Sequence, residues 1–199
     1  MFHHSPFWSL AAFWDPSTNI TYAFLHCTSD PEEDSTPRLK HFLTESAPHS
    51  LHPLLLPLLI MDLETNLTLR DEEEYTRDIN SIEEETKQAP GTSATPVNSL
   101  DLDLPLTVQR LNGCSIFLSL IERESAAVLL HLETLRSMTS ELHSSNPKLA
   151  TSGKRLLMHV DFLTNSRKNL FLRLQNLQRR SQTQLDFVKF PFPLEQPPL

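Results

Sequence analysis

Four consecutive carboxylates, Asp71-Glu72-Glu73-Glu74, form the densest chemistry in this chain of 199 residues. Hard divalent cations prefer carboxylate oxygens, so this run is the first metal candidate. A calcium loop alternates its ligands and turns on a glycine, and the run has neither feature. On a helix, four successive side chains point in different directions and cannot converge on one small ion. The expectation for Asp71, Glu72, Glu73 and Glu74 is therefore a solvated helix face with no bound metal. The nine histidines are scattered, and neither the His3-His4 pair nor His49 and His52 has a second ligand cluster beside it in the sequence.

Catalytic patterns are absent from the chain. It has no Gly-x-Ser-x-Gly elbow and no His-Glu-x-x-His helix, and neither Cys27 nor Cys114 sits in a motif with a partner histidine. The two cysteines read as reduced, partly buried thiols. Three glycines against fifteen prolines exclude a glycine-rich phosphate loop, which relies on positive φ angles and close backbone approach. A net charge of −8 argues against nucleic-acid binding, which needs clustered positive charge to release counterions from phosphates. The basic pairs Lys154-Arg155 and Arg179-Arg180 are interleaved with leucines and have few aromatic neighbours, the pattern of a coiled-coil flank. The sequence predicts a protein that is not an enzyme and carries no cofactor.

These residues are distributed over a few elements. Residues 6–50 read as a hairpin followed by a loop. Trp8, Leu10, Phe13 and Trp14 lead into the turn formers Asp15-Pro16-Ser17-Thr18-Asn19, and Tyr22, Phe24 and His26 then alternate with period two. A lone aromatic ribbon is marginal, so it should pack on a helix. One helical turn is expected near Leu39 to Leu43. Residues 51–88 read as an acidic helix with Leu59, Leu63, Leu67, Leu69, Tyr75, Ile79 and Ile82 on its apolar side, and Pro57 either starts or kinks it. Residues 89–105, rich in Pro, Thr and Ser, read as a flexible linker.

Residues 106–188 read as an antiparallel helical hairpin. In its first helix Leu111, Leu118, Ser125, Leu132 and Thr139 recur every seven residues, beside a second ladder of Cys114, Ile121, Val128, Leu135 and Leu142. Ser144-Ser145-Asn146-Pro147 breaks the helix. Leu149, Leu156, Leu163, Leu170 and Leu177 carry the spacing onward, with Val160, Leu174 and Val188 in a parallel register where Arg167 and Ser181 fill the other steps. Residues 189–199 form an apolar, proline-rich tail without periodicity, expected to be disordered. No segment approaches the roughly 20 apolar residues of a membrane span. The fold class is mainly α: long amphipathic helices in a coiled-coil-like bundle, with a small N-terminal β-hairpin.

Charge is segregated between the helices. From Asp62 to Lys87 there are ten acidic and three basic residues; from Lys148 to Lys189 there are nine basic and two acidic. Opposite fields favour these helices lying side by side, with exposed pairs contributing about 0–1 kcal/mol each.

The segment His52-Pro53-Leu54-Leu55-Leu56-Pro57, ahead of a long acidic helix and behind a Trp-containing hairpin at Trp8 to His26, resembles the cytosolic region of the CorA-like magnesium-transporter family of filamentous fungi. Asp161-Phe162-Leu163 and the run Leu174 to Leu185 look like the long helix that leads into that family's membrane segments. The resemblance covers most of residues 6–188 and implies a cytoplasmic regulatory module, with full-length relatives anchored in a membrane. The family's paired transmembrane helices and Gly-Met-Asn signature are absent, so the chain has no pore of its own; a truncated relative or an incomplete gene model is expected. The implied partner is a second copy or another coiled-coil or CorA-like subunit. The alternative is a free-standing coiled-coil interaction protein unconnected with ion transport.

Overall fold

The computed structural model describes residues 7–18, 20–28, 37, 40–41, 43–44, 52–86 and 103–189, without the side chains of 7–9, 27 and 28. The chain is mainly helical: three long packed helices and an N-terminal two-stranded antiparallel hairpin. The hairpin pairs β1 (Phe7–Asp15) with β2 (Ile20–Thr28) in a register that sets Leu10 opposite Leu25 and Phe13 opposite Tyr22. Its turn is held by Asp15, whose carboxylate accepts from the Ser17 N–H at 2.9 Å and from the Ser17 and Thr18 hydroxyls at 2.7 and 2.8 Å. Those bonds to the charged form hold the Asp15 carboxyl below its ordinary range.

The helices are α1 (Leu55–Glu85), α2 (Leu104–Ser145) and α3 (Ala150–Lys189). Pro57 lies in the first turn of α1, where its missing N–H costs no intrahelical bond. Asp103 caps α2, its carboxylate accepting from the Leu106 N–H at 3.1 Å. Residues 103–105, at the end of the expected linker, are thus the cap and first turn of a helix. Between α2 and α3, Asn146 accepts from the Lys148 N–H at 3.1 Å and opens a 3-10 turn, Pro147–Leu149. The rest of the linker (89–102), residues 190–199 of the tail and the Cys27 side chain lie outside the described residues. Lys40, His41, Leu43 and Thr44 are helical, within the region where a single turn is expected.

The chain divides into two compact units, Met1–Thr68 with Ala126–Lys168, and Leu69–Ser125 with Asn169–Leu199. In the first, Leu54 and Leu58 join Val128, Leu132, Leu135, Leu156, Val160 and Leu163 in one core. Leu59, Ile60 and Leu63 point elsewhere, packing with Leu10, Leu25 and Leu43. This part of α1 is therefore apolar on two sides: one serves the other helices and one serves the hairpin. The sequence reading recognised Leu59 and Leu63 and missed Leu54, Leu58 and Ile60.

In the second unit, Ile79 packs with Cys114, Leu118, Ile121, Leu170, Leu174 and Leu177, and Ile82 with Leu111, Leu185 and Val188. Here α1 and α3 run parallel, since Glu72 meets Arg173 and Glu83 meets Arg180; α2 runs the other way, with Ser115 beside Ser181 and Glu122 beside Gln178. Each fully buried leucine contributes about 1.5–3 kcal/mol of transfer free energy.

Candidate functional site

The polar side chains that the helices bring together form a series of cross-helix pairs. In the second unit Glu72 is 2% exposed, and the Arg173 guanidinium grips it through Nε to Oε1 at 3.2 Å and a further contact from Nη2 to Oε2. The Thr76 hydroxyl donates to the same carboxylate at 3.1 Å. One helical stretch on, Glu83 accepts from Arg180 Nε at 2.9 Å and Nη2 at 2.6 Å, and Asn80 Oδ1 accepts from the same Nη2 at 2.6 Å. The fork geometry favours the charged guanidinium, raising the Arg180 pKa. Arg110 donates to Glu85 at 2.9 and 3.0 Å from α2, and that contact holds the Glu85 carboxyl below its ordinary range.

These pairs correct the reading of the acidic run as a solvated face. Glu73 and Glu74 are exposed and Asp71 is half-buried, but Glu72 turns inward and meets a base of α3. The reason is helical geometry: four successive positions sweep round the helix, so one of them must face the partner. The run does not converge, and no group of three or more His, Cys, Asp or Glu side chains suited to a metal ion occurs among the described residues. His52 is buried and its Nδ1 accepts from the Leu54 N–H at 3.2 Å; His3, His4 and His49 lie outside the described residues.

The eleven packing residues singled out from the sequence all lie in the core: Leu111, Cys114, Leu118, Ile121, Val128, Leu132, Leu135, Leu156, Leu163, Leu170 and Leu177. Cys114 is buried among Ile79, Leu118 and Leu174, and burial, followed by the charge of Asp78, pushes its thiol up to about 11. It is protonated and unreactive at neutral pH. Tyr75 stacks on Phe117 with ring centroids 5.5 Å apart, and burial, then Asp71 and Glu74, push its phenol up to about 12. Neither group is a nucleophile or base at physiological pH.

Two polar features were given no role by the sequence reading, which placed Arg167 only as a step in the register of Val160 and Leu174. Arg167 is completely buried in the first unit, with its Nε donating to Thr65 Oγ1 at 3.0 Å. In the second unit an open groove of about 430 Å³ is lined by Ser115, Ser119, Gln175, Gln178, Arg179 and Gln182. It offers hydroxyls, amides and a single cation, a surface for hydrogen bonding with no nucleophile and base side by side. The spacing Gln175, Gln178, Gln182 on one helix face is a signal that the sequence did contain. No described helix is long and apolar enough to cross a membrane. Comparison with protein-family models, curated proteins and solved structures finds no match to this chain.

Proposed function

We propose that this chain is a non-catalytic helical interaction module, which works by packing against a second copy or another helical subunit, in the manner of the cytosolic helices of CorA-like transporters and without a pore of its own. What supports the reading is the division of labour among its side chains. The ionisable groups that approach one another are engaged in holding α1, α2 and α3 together, whereas large apolar side chains remain on the outside of the helices.

The exposed pair on α3 carries the reading: Met158 and Phe162, 67% and 65% exposed, lie one helical turn apart. Leu130 of α2 is comparably open at 63%. Single exposed apolar residues are ordinary, but a pair at i and i+4 is the repeat by which one helix receives another. The free-standing coiled-coil reading uses the same faces and differs only in the absence of a transporter as partner.

Sedimentation velocity of the whole chain over a wide concentration range tests this proposal. Reversible association is expected, weakened in Met158→Ser/Phe162→Ser with the thermal melt unchanged, because both side chains are already in solvent. A chain that remains monomeric at its solubility limit and gains no mass with any helical subunit offered would reject it.

A further inference from the structure

Among the described residues, nothing covers one face of the hairpin. Its register puts Ala11 opposite Phe24, Phe13 opposite Tyr22 and Asp15 opposite Ile20, and residues at alternate positions share a face. Leu10 and Leu25, on the opposite face, pack against Leu59, Ile60 and Leu63. The outward face leaves Phe13, Tyr22, Phe24 and Ile20 exposed by 66%, 57%, 70% and 47%. With about 200 Å² per large side chain, these exposures leave roughly 500 Å² of apolar surface open, within the range of functional patches on soluble proteins.

We propose that this face is a docking surface for the same face of a second copy, so that two hairpins stack sheet on sheet about a two-fold axis. The inference rests on the reading of the chain as an interaction module and names one of its partners and contacts. Two observations favour a second copy. One is area: two such faces together hide about 1,000 Å², where specific though weak association begins. The other is charge. The ionisable ends of the face are Asp15 at the turn and His26, opposite Ser9, at the far end of the ribbon. A two-fold axis through the middle of the face lays Asp15 of each copy over His26 of the other, where the imidazole donates to a carboxylate. Between those ends the face carries only apolar side chains and the Tyr22 phenol, which suits another flat aromatic face and offers nothing to a partner recognised by charge.

Sedimentation of the whole chain tests the proposal with two kinds of variant. Phe13→Thr/Phe24→Thr keeps β-forming residues in the strands, and its dissociation constant should rise about tenfold or more. Both tryptophans of the chain, Trp8 and Trp14, lie in β1, so unchanged emission verifies that the hairpin is intact. The second kind tests the charge arrangement: His26→Glu sets like charges together and should weaken the dimer several-fold, while His26→Lys should leave it as tight or tighter. A dimer indifferent to Phe13→Thr/Phe24→Thr overturns the inference, and if Met158→Ser/Phe162→Ser dissociates that dimer, the module reading survives without it. A wild-type chain that stays monomeric and binds phosphatidylcholine vesicles through the hairpin also overturns it, in favour of a lipid surface.

Discussion

Arg167 occupies a position of α3 that apolar residues hold seven places to either side, at Val160 and Leu174, and all three are fully buried. A guanidinium there costs several kcal/mol of desolvation, returned only through good bonds. Thr65 is one of its partners, and the Thr65 hydroxyl also donates to the Met61 carbonyl at 2.6 Å, so its donor stays satisfied without the arginine. Arg167→Met, which keeps most of the buried volume, should lose less stability than Arg167→Ala, which should lose about 2–4 kcal/mol by leaving a cavity. Urea titrations measure both, and a loss above about 2 kcal/mol in Arg167→Met would mean that the guanidinium's bonds outweigh its desolvation. His52 supplies a pH dependence. Burial lowers its pKa from 6.5, and its Nδ1 accepts from the Leu54 N–H, which a doubly protonated ring cannot do. The folded state then binds fewer protons than the unfolded one below pH 6.5. Stability is complete above that value and declines as pH falls toward the lower folded pKa. His52→Asn, which keeps an acceptor for the Leu54 N–H, should lose less stability than the wild type between about pH 7 and about pH 5.5. Equal slopes for the two proteins would remove His52 as the cause.

At the scale of elements, the three helices and the hairpin were legible because their periods differ: seven-residue ladders run through 111–142 and 149–177, and alternation marks 20–26. The assignment of faces was less so. Near its start α1 is apolar on two sides, so its pattern has no single stripe to read; in the hairpin both faces carry large apolar residues, and only the register shows that Leu10 and Leu25 go inward while Phe13 and Phe24 stay out. The inward turn of Glu72 was hidden because a carboxylate flanked by carboxylates looks solvated, although the segregation of charge between α1 and α3 already favoured pairs such as Glu72 with Arg173. Two helical glycines give a test of the elements themselves. Gly113 in α2 has open space where a Cβ would go, and a Cβ at Gly153 in α3 would meet His52 Nε2 at 3.6 Å and His143 Nδ1 at 3.7 Å, ordinary contact distances. Alanine at either site should stabilise by about 0.5–1 kcal/mol, since it reduces the entropy of the unfolded chain without crowding the folded one. Thermal melts that drop for Gly153→Ala would show that the two imidazoles need more room than these distances give.

For the whole molecule, the question is whether its acidity serves cation binding or its own assembly. The chain carries a net charge of −8, and a divalent ion would be attracted by that field alone. Specific binding needs more, namely several carboxylates aimed at one point. Four of the described acidic side chains do the reverse: Glu72 and Glu83 are turned toward Arg173 and Arg180, Glu85 toward Arg110, and Asp62 toward His159 at 3.2 Å. Each carboxylate committed to a base is lost to a cation, and opening a buried pair to admit magnesium would leave a guanidinium without its partner. Sodium chloride should therefore weaken mainly the exposed pairs, such as Arg136 with Asp161, as the Debye length falls from about 10 Å at 0.1 M to about 3 Å at 1 M, and the melting temperature should move little. Magnesium chloride at matched ionic strength should give the same small shift as sodium chloride. A magnesium-specific rise would show by linkage that the folded chain holds the ion. If Glu73→Gln/Glu74→Gln then abolished that rise, the exposed half of the acidic run would be the site, and cation binding would replace assembly as the reason for the charge.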